Sequence, residues 1–225
     1  MAAPLALVAI SGCGGGSSSE NGVASKSADQ IIAEAKSAAD SATSVHVSGS
    51  QTSGSTALSL DLSLQAGKGG SGQISEKGAS FELVVLGGTA YIKGSPSFYR
   101  SLGGAAAAQL FKGKWLKAPS TSGELSVISS LTDMRKLIDT TLVGHGALAK
   151  GSITTIAGQK AIGINDKSKG GTLYVAATGK PYPIELSKTG SEGGTITFDR
   201  WNQPVTITAP SGAIDLSQLE AASKH

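Results

Sequence analysis

The chain carries few residues that could do chemistry. Its 225 residues include one cysteine and three histidines. The cysteine is the informative one. Leu5-Ala6-Leu7-Val8-Ala9-Ile10 is apolar, Ser11-Gly12 is small, Cys13 follows, and Gly14-Gly15-Gly16-Ser17-Ser18-Ser19 comes next. A secretory signal has this order, an apolar core and then small residues at the cut. A cysteine directly after the cut, behind Ile-Ser-Gly, has the form of a bacterial lipobox. There the thiol takes a diacylglyceryl group and becomes the new N-terminus. A lone cysteine forms no internal disulfide, and a Gly/Ser-rich segment cannot bury it. The apolar run is far shorter than the ~20 residues that span a bilayer. Met1-Ala2-Ala3-Pro4 lacks the Lys or Arg with which a signal peptide begins. The expectation is therefore a signal peptide over residues 1–12, lacking its basic start, and a flexible tether over 13–27. A single domain over 28–222 then hangs from Cys13 at the extracytoplasmic face of the cell membrane. Two acyl chains hold a protein there stably, whereas one does so only marginally.

The remaining reactive groups form no recognisable set. His46 falls on a strand, His145 in a Gly-His-Gly turn and His225 at the terminus; each reads as solvated or incidental. His-x-His, His-Glu-x-x-His and Cys-x-x-Cys are absent from the sequence, so no transition-metal ligand set is expected. There is no Gly-x-Ser-x-Gly elbow. Asp133, Arg135, Lys136 and Asp139 read as charges on a helix surface. Gly67, Gly69 and Gly72 satisfy G-x-G-x-x-G, but that motif must open a helix to present N–H groups to phosphate. Here it leads to Gln73-Ile74-Ser75-Glu76, which reads as strand, so Gly67–Gly72 is expected to be a turn. The net charge of +3 comes from 19 Lys+Arg against 16 Asp+Glu, without a basic run interleaved with aromatics. Nucleic acid is thus not an expected partner. No catalytic residue, metal or cofactor is implied, and an enzyme would need a Ser/His/Asp constellation assembled by the fold.

The elements that could position a site are mostly strands. Ala28–Ala42 is Ala-rich and free of Gly and Pro, with Ser27 and Gln30 spaced as a capping box. Ile31, Ala35, Ala38 and Ala42 share one of its faces. Ser44–Thr52 alternates. Leu58, Leu60, Leu62 and Leu64 then point one way while Ser59, Asp61, Ser63 and Gln65 point the other, a half-buried strand. Phe81–Leu86 and Thr89–Lys93 form a hairpin across Gly87-Gly88. Helices are expected at Ser95–Gly103, with Pro96 in the first turn, at Ala105–Phe111, and over most of Ser122–Gly144. Thr132 or Ser130 is the expected cap of that last helix, and Leu131, Met134, Leu137, Ile138 and Leu142 are its apolar stripe. Gly113–Lys117 reads as strand. Further strands are expected at Ala149–Ile156, Gln159–Asp166, Thr172–Ala177, Ile184–Thr189, Thr195–Trp201 and Val205–Thr208, with a closing helix at Leu216–Ala222. Such short spacing argues an antiparallel meander, and its apolar face must be covered by the helices.

Aromatics are 4% of the chain and charged residues 16%. The interior is therefore filled by Leu, Ile, Val and Ala, or left partly open for a ligand; composition leaves both alternatives standing. The apolar face is assigned to Leu58, Leu60, Leu62, Leu64, Phe81, Leu83 and Val85, continued by Leu173, Val175, Ile184, Leu186, Ile196 and Phe198. Leu131, Met134, Leu137 and Ile138 face it from the helix. All are ordinary core candidates as well as candidate ligand contacts.

The order of lipobox, helix, meander and helical insertion resembles the actinobacterial LppX/LprAFG-type envelope lipoproteins. Ser44-Val45-His46, Gly113-Lys114-Trp115, Gly171-Thr172-Leu173-Tyr174-Val175, Pro181-Tyr182-Pro183-Ile184, Pro204-Val205 and Ala209-Pro210 carry the resemblance. It implies an α+β fold similar to the carrier LolA: a strongly curved antiparallel sheet, an open half-barrel, with helices on its concave face. It also implies an apolar cavity between sheet and helices that holds acyl chains of lipids or glycolipids, handed over without covalent chemistry. A regulatory or scaffolding lipoprotein is the alternative, resembling envelope-stress sensors, with a filled core. Its partner would be a membrane transporter or another envelope protein.

Overall fold

The alternation of Leu58 to Leu64 builds the strand it predicts, and the strands around it set the architecture. The protein is described by a computed structural model over residues 19–218. Cys13, the leader and the end of the expected closing helix lie outside the described residues. A 3₁₀ turn at Val23–Ser25 leads into α1 (Ala28–Asp40). Five strands follow: β1 (Ser44–Ser53), β2 (Thr56–Gln65), β3 (Gly69–Glu76), β4 (Ala79–Leu86) and β5 (Thr89–Gly94). Then come α2 (Pro96–Leu110), β6 (Leu116–Pro119), α3 (Gly123–Ser130) and α4 (Met134–Val143). The second half holds β7 (Leu148–Ile156), β8 (Gln159–Asp166), β9 (Thr172–Ala176), β10 (Pro183–Lys188), β11 (Gly194–Asp199) and β12 (Ile214–Asp215). Among the described residues these strands form one open sheet in the order β12-β6-β5-β4-β3-β2-β1-β11-β10-β9-β8-β7. Every pair is antiparallel except β12 beside β6. The fold is thus the expected α+β class, a curved and unclosed sheet with helices over its apolar face.

Register explains how one face becomes apolar. Directly paired residues point to the same side of a sheet. One cross-strand row reads Ile74, Leu60, Gly49, Ile196, Leu186, Leu173 and Ile164. The next reads Leu116, Ile92, Leu83, Gly72, Leu62, Val47 and Phe198. These rows pack against Ile31, Ile32, Ala35 and Ala39 of α1 and Met134, Ile138 and Leu142 of α4. Leu62, Leu64, Leu83, Val45 and Val175 are fully buried there. The Ser27–Gln30 capping box forms as expected, with the Gln30 N–H donating to Ser27 Oγ and the Ser27 N–H to Gln30 Oε1. Lys36 ties the two helices together through Asp139, 2.5 Å away.

Several sequence expectations are corrected. Gly69–Gly72 is strand, because the absent side chains make room: a Cβ on Gly72 would lie 1.9 Å from the Asp61 carbonyl oxygen. Ser122–Gly144 splits into α3 and α4, and the cap of α4 is Asp133, whose carboxylate accepts from the N–H groups of Arg135 and Lys136. Val205–Thr208 is not a strand. Residues 203–210 run unpaired before Ile214–Asp215 joins β6. Residues 20–27, expected to belong to the tether, are instead held on the domain: Glu20 bridges Thr178. Asn21 donates to Ala177 and Ala176 backbone oxygens, and Val23 is buried in the core.

Candidate functional site

The candidate residues come together, but as a packed layer. Leu62, Leu64, Leu83, Val85, Met134, Ile138, Leu173, Val175 and Phe198 belong to one buried cluster. Leu58, Leu60, Phe81, Leu131, Leu137, Leu186 and Ile196 are half-buried against it. Ile184 is not part of it. The register shifts between Pro183 and Glu185, so Ile184 turns to the opposite face and packs with Ala161 and Ala176. The middle of the space between sheet and helices is filled by side chains, and the openings lie at its rims.

One opening is a cleft of about 210 Å³ between the ends of α1 and α4 and the sheet from β7 to β10. Ile32, Leu142, Leu148, Ile164, Leu173 and Leu186 give it apolar walls, and His145, Asp166, Lys169 and Lys188 stand around it. Leu173 and Leu186 were identifiable from strand alternation. Ile32, Leu148 and Ile164 were not, because the opening depends on where α4 stops. Asp166 fixes that stop. Its carboxylate accepts from the N–H groups of Gly146, Ser168 and Lys169. The Lys169 and Gly146 N–H groups hold its pKa below the usual carboxylate range. The Lys169 ammonium also donates to the Gly144 carbonyl, the cap of α4.

A second cleft, of about 500 Å³, opens at the other end of α4. Val85 and Met134 line it beside Ser120, Thr121, Ser126, Ser129, Ser130 and Thr132, with Asp133, Lys68, Arg135 and Lys136. It is a recess of mixed lining, in which three cations face one carboxylate.

His46 is neither solvated nor incidental. It is 8% exposed, with Nδ1 2.6 Å from Asp199 Oδ1 and Nε2 3.0 Å from Asp61 Oδ1. Each carboxylate can accept from the ring nitrogen it faces. With each nitrogen facing a carboxylate, neither is placed to take a proton from a serine. The described residues hold no cluster of three or more His, Cys, Asp or Glu side chains that could hold a metal ion. No described helix is long and apolar enough to cross a membrane.

Among solved structures, LprF from Mycobacterium bovis superposes on 82% of this chain and 97% of its own, with a TM-score of 0.55 and 17% sequence identity. The fold is that of LprF. An uncharacterized conserved protein from Thermus thermophilus aligns over 84% of this chain and 98% of its own, at a TM-score of 0.41 and 9% identity. No family model and no curated protein sequence matches the chain.

Proposed function

We propose that the chain is an envelope lipoprotein, anchored through Cys13, that shelters an acyl chain of a lipid or glycolipid. The cleft beside α1 and α4 carries this reading: apolar side chains wall it, and Lys169 and Lys188 stand at it. An acyl chain laid along Leu173 and Leu186 leaves water, at about 0.8 kcal/mol per CH₂ buried. A carboxylate or phosphate at its head meets the two ammonium groups. No bond is made or broken, so the work is transfer between bilayer and protein. The LprF fold and the resemblance to LppX/LprAFG-type lipoproteins support the same reading.

The test is mass spectrometry of lipid extracted from the purified Cys13→Ala protein, with uptake of a fluorescent fatty acid measured alongside. Lipid should co-purify, and Leu186→Asp, at a half-buried position, should lower uptake at least tenfold. Absence of both lipid and uptake from the parent protein would sink the proposal. The filled middle of the core, where Leu62, Leu64 and Val175 are wholly buried, favours a second reading. In it the domain is a rigid scaffold for a membrane or envelope protein, and Leu186→Asp leaves function intact.

A further inference from the structure

On either side of a break, α2 exposes large apolar side chains that nothing covers among the described residues. Its first half is docked: Phe98 packs on Phe81 with ring centroids 4.9 Å apart, and Tyr99 is buried beside it. The helix then breaks at Gly103 and Gly104, the latter with φ 70° and ψ −162°. Ala105, Ala106 and Leu110 beyond the break are exposed. Leu102 is 59% exposed and Leu110 55%. Large apolar groups this open to water, on both sides of a helix break, mark an interaction surface.

The charges beside it say what covers it. From Leu83 to Gly123 the sequence has five Lys or Arg and no Asp or Glu. Lys93 pairs with Glu82 and Lys117 with Asp215. Arg100, Lys112 and Lys114 are exposed and form no ion pair among the described residues. They bracket the apolar stretch, Arg100 before it and the two lysines after it. Exposed leucines between cations suit the interface of an anionic bilayer, where apolar groups enter the headgroup region and ammonium groups meet phosphates. A second copy of the chain would bring the same unpaired cations, so self-association through this face is opposed by charge.

We propose that α2 around its break is a membrane-docking element that lays Leu102, before the break, and Leu110, after it, into an anionic lipid surface, held by Arg100, Lys112 and Lys114. It is independent of the acyl cleft. The described chain begins beside Thr178 in the other half of the sheet, so α2 supplies a contact separate from the Cys13 anchor.

The experiment is vesicle co-sedimentation of the full chain carrying Cys13→Ala, so that no acyl anchor contributes. Equimolar phosphatidylglycerol and phosphatidylcholine is compared with phosphatidylcholine alone. Binding to the anionic vesicles should be at least tenfold tighter and should weaken at about 0.5 M salt. Leu102→Ser with Leu110→Ser should cost at least tenfold, and Lys112→Ala or Lys114→Ala about fivefold each. These positions are exposed, so far-UV circular dichroism and the urea midpoint should not move. The proposal is overturned if anionic vesicles are not bound at low salt, if both vesicle types bind alike, or if the leucine pair has no effect. It is equally overturned if the leucine pair abolishes self-association of the chain and leaves vesicle binding unchanged.

Discussion

Replacing Gly72 with Ala tests why the sheet has glycines on its apolar face. Gly72 sits in β3 between Leu62 of β2 and Leu83 of β4. A methyl group there would lie 1.9 Å from the Asp61 carbonyl oxygen and 2.8 Å from the Leu62 Cα. Both are backbone atoms, so a strand must move by more than an ångström. Overpacking of this kind costs about 1–3 kcal/mol, and each ladder hydrogen bond lost adds about 1 kcal/mol. We expect a destabilisation of about 3–5 kcal/mol. Gly78→Ala is the control. Gly78 has a φ of 76°, and its Cβ would meet nothing within 4 Å. Its cost is the left-handed backbone alone, about 1–2 kcal/mol. Urea unfolding followed by tryptophan fluorescence reads both. With a slope of about 1–3 kcal/mol per molar urea, Gly72→Ala should lie roughly 1 M, and at least about 0.3 M, below Gly78→Ala at the midpoint. Equal midpoints would refute the close-approach argument and reduce Gly72 to a flexible joint.

Three further outcomes follow from single contacts. Tyr99→Phe removes a hydroxyl that accepts from the Gly94 N–H at 2.8 Å and donates to the Lys114 carbonyl at 3.1 Å; thermal melting should report a loss of about 1–3 kcal/mol. Ser27→Ala breaks the capping box of α1 and should cost about 1 kcal/mol in the same assay. Asp166 has a folded pKa below its unfolded one, so its contribution is complete above about pH 4 and is lost as pH falls through the lowered folded value. Urea midpoints measured from neutral pH downward should fall more steeply for the parent than for Asp166→Asn in that acid range, and fatty-acid uptake should change with them.

What could be read from the chain depended on how local the cause was. The β2 alternation and the Ser27–Gln30 box act within one element, and both were legible. The strand at Gly69–Gly72 was not, since glycine runs ordinarily mark turns; here they relieve crowding by β2 and β4, which only pairing reveals. Ile184 was misplaced because one irregularity after Pro183 reverses which way a strand's side chains point. The apolar cleft was half visible: Leu173 and Leu186 follow from periodicity, whereas Ile32 and Leu148 reach it only through the position of α4. His46 looked idle because Asp61 and Asp199, its partners, lie 15 and 153 residues away.

The joint between β1 and β11 also governs how the molecule is assembled. Each half of the sheet grows largely by neighbouring hairpins, which close quickly. The pairing of His46 with Asp199 spans 153 residues, and contacts so distant in sequence slow folding. Once the first half has formed, β1 keeps one edge of unpaired N–H and C=O groups until β11 arrives from the far end of the chain. An open edge is a template for wrong partners, so joining the two halves should be the slow step and the one most exposed to aggregation. Substitutions within β1 or β11 should therefore lower the yield of folded protein more than their effect on the finished structure would suggest.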